Sequence, residues 1–184
     1  PGGGISQGGN NLTMTNSTVT GNKTYGTYAE GGGLNLLPGK SEIKNSIIAG
    51  NEAKLSGGDE MRFVLNLFRV THSLLGESSN TTQDAFLRYG YWSNFRDVIS
   101  EIPSVILATR DGNRPTALQG ILQSLGSNGG LGRTHGLAAG SPAINTGDLD
   151  ALPQDWGDLD GDGNTAEKTP FDQRGDGFRR VSGG

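Results

Sequence analysis

A chain of 184 residues is long enough for one domain with a real core, but a net charge of −4 gives it no basic face for nucleic acid or an anionic membrane. The absence of cysteine excludes disulfides and thiolate metal sites, and no apolar run approaches the ~18 residues of a membrane-spanning helix. Only 32% of the residues are apolar and glycine numbers 32, a composition that suits a narrow core fed by one side chain per short strand.

The chain opens on a repeat. Gly2-Gly-Gly-Ile5 returns 29 residues later as Gly31-Gly-Gly-Leu34. Leu12-Thr-Met-Thr-Asn-Ser-Thr-Val-Thr-Gly-Asn22 returns at the same spacing as Ser41-Glu-Ile-Lys-Asn-Ser-Ile-Ile-Ala-Gly-Asn51. A fixed period of this size marks stacked units, none of which buries its apolar face alone. Within each copy the alternation is that of strands. Met14/Ile43, Ser17/Ser46 and Val19/Ile48 point inward, and Thr15/Lys44 and Thr20/Ala49 outward. Asn16/Asn45 and Asn22/Asn51 fall where the chain must turn, since Asn tolerates tight or left-handed conformations. A third, altered copy is Phe68-Arg-Val-Thr-His-Ser-Leu-Leu-Gly76, in which His72 takes the Asn position and Val70 and Leu75 continue the inward columns at a spacing of 27.

Residues 77–116 break the pattern. An aromatic-rich stretch from Asp84 to Ile99 has partial helical spacing, weakened by Gly90, and is expected to pack on its neighbours. Val105-Ile-Leu-Ala-Thr109 reads as a further buried strand and Asp111-Gly-Asn113 as its turn. Residues 117–125 read as a strand pair or a short amphipathic turn, and Ser127-Asn-Gly-Gly-Leu-Gly132 as a loop. The tail, 149–184, is acidic, Gly-rich and aperiodic. The expected fold is all-β: a right-handed parallel β-helix (a solenoid) over 1–148, with an irregular insertion at 77–116 and a capping tail over 149–184. The opening at Pro1, directly on a repeat motif, is expected of a mature fragment or excised domain preceded by earlier repeats.

Asn128-Gly-Gly130, Thr134-His135 and Gly140-Ser-Pro-Ala-Ile-Asn-Thr-Gly-Asp148 resemble the C-terminal region of bacterial choice-of-anchor Q surface proteins. These are parallel β-helix proteins related to polymorphic outer-membrane repeat proteins. Asp158-Leu-Asp-Gly-Asp-Gly-Asn-Thr-Ala-Glu167, Pro170-Phe-Asp-Gln-Arg-Gly175 with Arg179 and Arg180, and the repeat motif are similar to that family as well. The resemblance covers about 1–76 and 118–184. It implies a secreted, cell-surface or matrix role. It also supports a right-handed winding, the general preference for parallel crossovers.

The sharpest candidate site is Asp158-x-Asp160-x-Asp162-Gly163-Asn164. Carboxylates at positions 1, 3 and 5 with Gly at 6 match the first half of an EF-hand-type loop, in which oxygen atoms wrap a hard cation. Position 12 is Thr169 rather than Glu, so Glu167 or Asp172 would have to complete the shell, and the expected ion is Ca²⁺. A self-bonded acidic turn is the plainer alternative. His72 and His135 have no partners for zinc and read as turn or packing elements. Asp172 with Arg174, Arg179 and Arg180 suggests an ion pair.

A glycosidase needs two carboxylates flanking a sugar bond. The outward positions here carry mostly Thr, Lys and Ala, Glu42 stands alone, and Asp59 and Glu60 would face opposite ways in a strand. A maintained Thr array for ice is excluded by Glu42, Lys44, Ile47 and Ala49 in the second copy. The expected function is therefore a non-enzymatic structural or adhesive module at a bacterial cell surface or in an extracellular matrix. Self-association into filaments or contacts with other surface proteins and glycans are its expected partnerships. The alternative is a carbohydrate-binding or polysaccharide-cleaving β-helix protein.

Overall fold

The computed structural model describes residues 3–25, 31–53, 60–63, 66–76, 85–87, 91–93, 104–108 and 118–181. It is all-β: among the described residues every named element is a strand. The first repeat contributes β1 (Ile5–Gln7), β2 (Asn11–Thr15), β3 (Thr18–Val19) and β4 (Lys23–Thr24). The second contributes β5 (Leu34–Leu36), β6 (Gly39–Lys44), β7 (Ile47–Ile48) and β8 (Glu52–Ala53). The third contributes β9 (Met61–Phe63), β10 (Asn66–Thr71) and β11 (Leu74–Gly76). Then follow β12 (Ala85–Leu87), β13 (Tyr91–Ser93) and β14 (Ile106–Ala108).

Equivalent strands of successive repeats pair in parallel. The sheet orders are β1-β5-β9, β10-β6-β2 and β14-β11-β7-β3, with β4 beside β8. Registers follow the repeat. Met14 faces Ile43 and Ile43 faces Val70; Val19 faces Ile48, Ile48 faces Leu75 and Leu75 faces Leu107. Met14, Ile43 and Val70, and Val19, Ile48 and Leu75, with Leu34, Leu36, Met61, Phe63 and Phe68, form the buried core among the described residues. Phe63 and Phe68 close it edge to face, with ring centroids 4.6 Å apart. The inward positions expected at Val70 and Leu75 are both buried.

The turns repeat as faithfully as the strands. Asn16, Asn45 and His72 hold φ values of 52°, 48° and 47°, the left-handed conformation that Asn adopts more readily than most residues. The serine after each forms a ladder. Ser46 Oγ accepts the Ser17 N–H at 3.2 Å and Ser73 Oγ accepts the Ser46 N–H at 3.1 Å. Each hydroxyl in turn donates to the carbonyl two residues back, at 2.9, 2.7 and 2.8 Å for Ser17, Ser46 and Ser73. The Asn-Ser motif thus satisfies backbone groups that a strand end leaves unpaired.

At Asn22 and Asn51 the turn itself falls one residue earlier, on Gly21 (φ 69°) and Gly50 (φ 73°). The two asparagines instead stack, with Asn22 Nδ2 donating to Asn51 Oδ1 at 3.0 Å. The outward placement expected of Ala49 fails: it is fully buried. The two-residue strand β7 ends at Ile48, so alternation lapses before Ala49.

Within the stretch from Asp84 to Ile99, where helical spacing is only partial, the described residues form two strands. β12 and β13 pair antiparallel, Phe86 opposite Trp92, as suits aromatic residues on either side of a glycine. Of the buried strand expected over Val105–Thr109, Ile106–Ala108 form β14, paired with β11, and Val105 and Ile106 are half-buried. The turn expected at Asp111-Gly-Asn113 lies outside the described residues.

The chain divides into two compact units: Pro1–Leu118 with Pro142–Asp148, and Gln119–Ser141 with Leu149–Gly184. Residues 119–141 thus group with the tail, not with the repeats as the expected boundary at 148 had it. In this second unit, single antiparallel bridges replace sheets: Leu122 with Leu137, Gly126 with Thr134, Gln154 with Lys168, and Phe171 with Arg179. The first two give the 117–125 stretch its strand-like partner. Asn128 donates to both the carbonyl and the hydroxyl of buried Thr134, at 2.8 and 3.0 Å. His135 Nδ1 lies 2.7 Å from the Gln123 carbonyl oxygen.

Candidate metal centre

The tail folds back on itself at the Gln154–Lys168 bridge. Asp155 N–H donates to the Glu167 carbonyl at 2.9 Å, and Thr169 N–H to the Pro153 carbonyl at 2.9 Å. Lys168 Nζ crosses to the Asp150 and Leu152 carbonyls at 2.9 and 3.0 Å. These bonds bring the two ends of the acidic stretch together and leave the segment between them as a loop.

The loop turns at Asp158 (φ 48°), Gly161 (φ 73°) and Gly163 (φ 85°). Asp158 accepts the Gly163 N–H on both oxygens, at 3.1 and 3.2 Å, and Asp162 Oδ1 accepts the Asn164 N–H at 2.7 Å. Asn164 Oδ1 accepts the Ala166 N–H at 3.2 Å, while its Nδ2 donates to Glu167 Oε2 at 3.3 Å.

Two acidic groups result. Asp158, Asp160 and Asp162 each place a carboxylate oxygen within 4.8 Å of the others, and so do Asp155, Asp160 and Glu167. Either group could hold a metal ion. All their donors are oxygen, which suits a hard cation and not zinc. The concentration of negative charge is felt at Glu167, whose carboxyl is held above its ordinary range. Partial desolvation is the main cause, followed by repulsion from Asp162, Asp160, Asp155 and Asp158.

Of the residues predicted as ligands, Asp158, Asp160, Asp162 and Glu167 fall in one group or the other. Asn164 lies between them and is bonded within the loop. Asp172 lies outside both. Its carboxylate is gripped by Arg174, with Nη2 to Oδ2 at 2.6 Å and Nε to each oxygen at 3.0 Å. Those bonds hold its carboxyl below the ordinary range, with burial opposing them. The Arg174 guanidinium also stands 4.3 Å from the centroid of the Phe178 ring and donates to the Asn128 carbonyl at 3.1 Å. Gly129 and Gly130 are obligatory beneath this arrangement, because a Cβ at either would collide with Phe178 or Arg174. The expected ion pair is thus Asp172–Arg174. Arg180 is bound to the Phe171 carbonyl at 3.1 Å instead.

Asp155 had not been predicted. The signal was present, since Asp155-x-x-Asp158-x-Asp160-x-Asp162 extends the acidic series upstream, but a loop template beginning at Asp158 omits it. An open cleft of about 680 Å³ in the same unit is lined by Asp160, Glu167, Lys168, Phe171, Asp176 and Arg179, among others.

The carboxylates of the first unit are differently employed. Glu42 pairs with Lys44 at 3.0 Å and Glu52 with Lys23 at 2.7 Å, both at the surface. Glu60 is buried and accepts from Gly50 N–H (2.7 Å), Asn51 N–H (3.0 Å) and Asn51 Nδ2 (2.8 Å). Compared with family models, curated proteins and solved structures, the chain matches none.

Proposed function

We propose that the first unit is a right-handed parallel β-helix serving as a non-enzymatic structural or adhesive module of a bacterial cell-surface or extracellular matrix protein. The observation that carries this reading is the constant parallel register. Strands, left-handed turns and serine hydroxyls all recur at offsets of 29 and then 27 residues. Columns of this kind stack into a stiff rod with satisfied backbone groups, which resists proteolysis.

The described acids of the repeats are engaged by neighbouring side chains, as suits a scaffold. Glu42 and Glu52 face lysines, and Glu60 is consumed by the Asn51 turn. Partners of such a module are other copies of itself or neighbouring surface proteins. The cation of the tail, in this reading, is Ca²⁺, abundant outside cells.

Negative-stain imaging and sedimentation of the purified chain test the proposal, together with binding to intact bacterial surfaces. Elongated particles that bind surfaces or one another without consuming a glycan support it. Turnover of a polysaccharide would overturn it. The tail cleft favours a second reading, glycan binding, because it sets Arg179, Lys168 and Asp176 beside the Phe171 ring. A glycan array read with Arg179→Ala as control separates the two.

A further inference from the structure

Asp155 is the most deeply buried acid of the tail, with 1% of its surface exposed. Its Oδ2 accepts the Leu159 N–H at 2.8 Å, but its Oδ1 is sealed from solvent with no hydrogen-bond partner. A buried carboxylate oxygen left this way is costly, and charges in such places are normally paired or bound to a metal. Around it the chain sets more negative charge, from Asp160 and Glu167, with carboxylate oxygens of all three within 4.8 Å of one another. The nearby Lys168 ammonium is turned to the Asp150 and Leu152 carbonyls.

Oxygens bound to one Ca²⁺ at roughly 2.4 Å stand no more than about 4.8 Å apart, so the trio fits around a single ion. We propose that the tail binds Ca²⁺ through Asp155, Asp160 and Glu167, with Asp155 as the buried anchor, and that the Asp158–Asp162 side of the loop contributes little to affinity. Asp158 accepts the Gly163 N–H on both oxygens and Asp162 accepts the Asn164 N–H on Oδ1, whereas Asp155 Oδ1 is buried with no partner. Asp155 and Glu167 also sit at the two sides of the Gln154–Lys168 bridge, so the ion would tie together the arms that the Asp155 N–H to Glu167 carbonyl bond already joins. Asp160 is common to both acidic groups and would turn inward to the anchor.

This inference rests on the reading that the tail takes Ca²⁺, and the test separates the two. The full chain, stripped with EDTA and desalted, is titrated with CaCl₂ by calorimetry and its thermal unfolding is followed in parallel. Wild type is expected to bind one ion and to unfold at higher temperature with it. Asp155→Asn and Glu167→Gln are each expected to weaken binding by about tenfold or more, and Asp162→Asn by much less. Loss of binding in Asp162→Asn with retention in Glu167→Gln would show that calcium binds the loop, overturning this inference while the calcium reading survives. No binding by wild type up to about 10 mM CaCl₂ overturns both. Should Asp155→Asn fail to fold, the contrast between Glu167→Gln, at the partly exposed rim, and Asp162→Asn decides the matter.

Discussion

Asn45 and Asp148 clasp each other across 103 residues: Asn45 Nδ2 donates to the Asp148 carbonyl at 2.7 Å, and Asp148 N–H donates to Asn45 Oδ1 at 2.8 Å. The clasp uses an asparagine whose backbone is already left-handed, so one residue both turns the strand and holds the distant Gly147-Asp148 end of the motif. The next turn residue in the column, His72, places Nδ1 3.9 Å from Asp148 Oδ2.

Asn45→Ala is expected to lose both bonds and to incur the left-handed penalty, lowering stability by about 2–3 kcal/mol. Asn45→Gly keeps the backbone conformation and should recover about 1 kcal/mol of that. Urea unfolding of the two variants measures the difference. Equal costs would mean that the left-handed turn contributes nothing.

Glu60 completes the Asn22–Asn51 stack in the third repeat. Gly4 and Gly33 leave room for the Asn22 and Asn51 amides, which a Cβ on either glycine would strike. The third repeat has Glu60 after Gly33 in this column, its carbonyl accepting the Gly33 N–H at 3.0 Å, and its own carboxylate reaches to Asn51. Glu60→Ala would strand three donors in the core and is expected to cost about 3–5 kcal/mol. Glu60→Gln should cost less but more than nothing, since it sets an amide donor among donors. Thermal melts of both variants check the order.

Gly129→Ala is expected to destabilise the second unit by about 3 kcal/mol. It combines a φ of 90° with a direct collision against Phe178. Phe178→Ala would remove the clash but not the strain, so the double variant should be more stable than the sum of the single losses. A double-mutant cycle by chemical denaturation reads that coupling.

Asp172 sets an acid limit on the second unit. Its carboxyl is held below its usual 3.8, chiefly by hydrogen bonds from Arg174. A depressed carboxyl contributes stability that is present above the unfolded value and is lost as pH falls through the folded one. The wild type should therefore weaken on acidification below the ordinary carboxylate range, and Asp172→Asn should show a flatter profile there. At neutral pH Asp172→Asn is expected to cost about 1–3 kcal/mol, because the pair is partly buried and charge-assisted. Melting temperature against pH for the two proteins is the measurement.

The repeat, its strands and its left-handed turns were legible in the sequence, because each depends on residues a few positions apart and recurs at a fixed offset. Met14, Ile43 and Val70, or Asn16, Asn45 and His72, could be aligned by spacing alone. The aromatic stretch was left open by its sequence because Phe86, Tyr91 and Trp92 suit a strand pair as well as a helix, and only the pairing of β12 with β13 decides between them. The acidic loop could be found as a motif, but not the buried Asp155 beside it, since its burial depends on a chain reversal closed by Lys168 and Thr169. Likewise, nothing local marks Glu60 as the partner of Asn51 or Asp148 as the partner of Asn45. Spacing determines which residues share a column; which polar groups become enclosed, and must therefore find partners, is determined only when distant segments close over them.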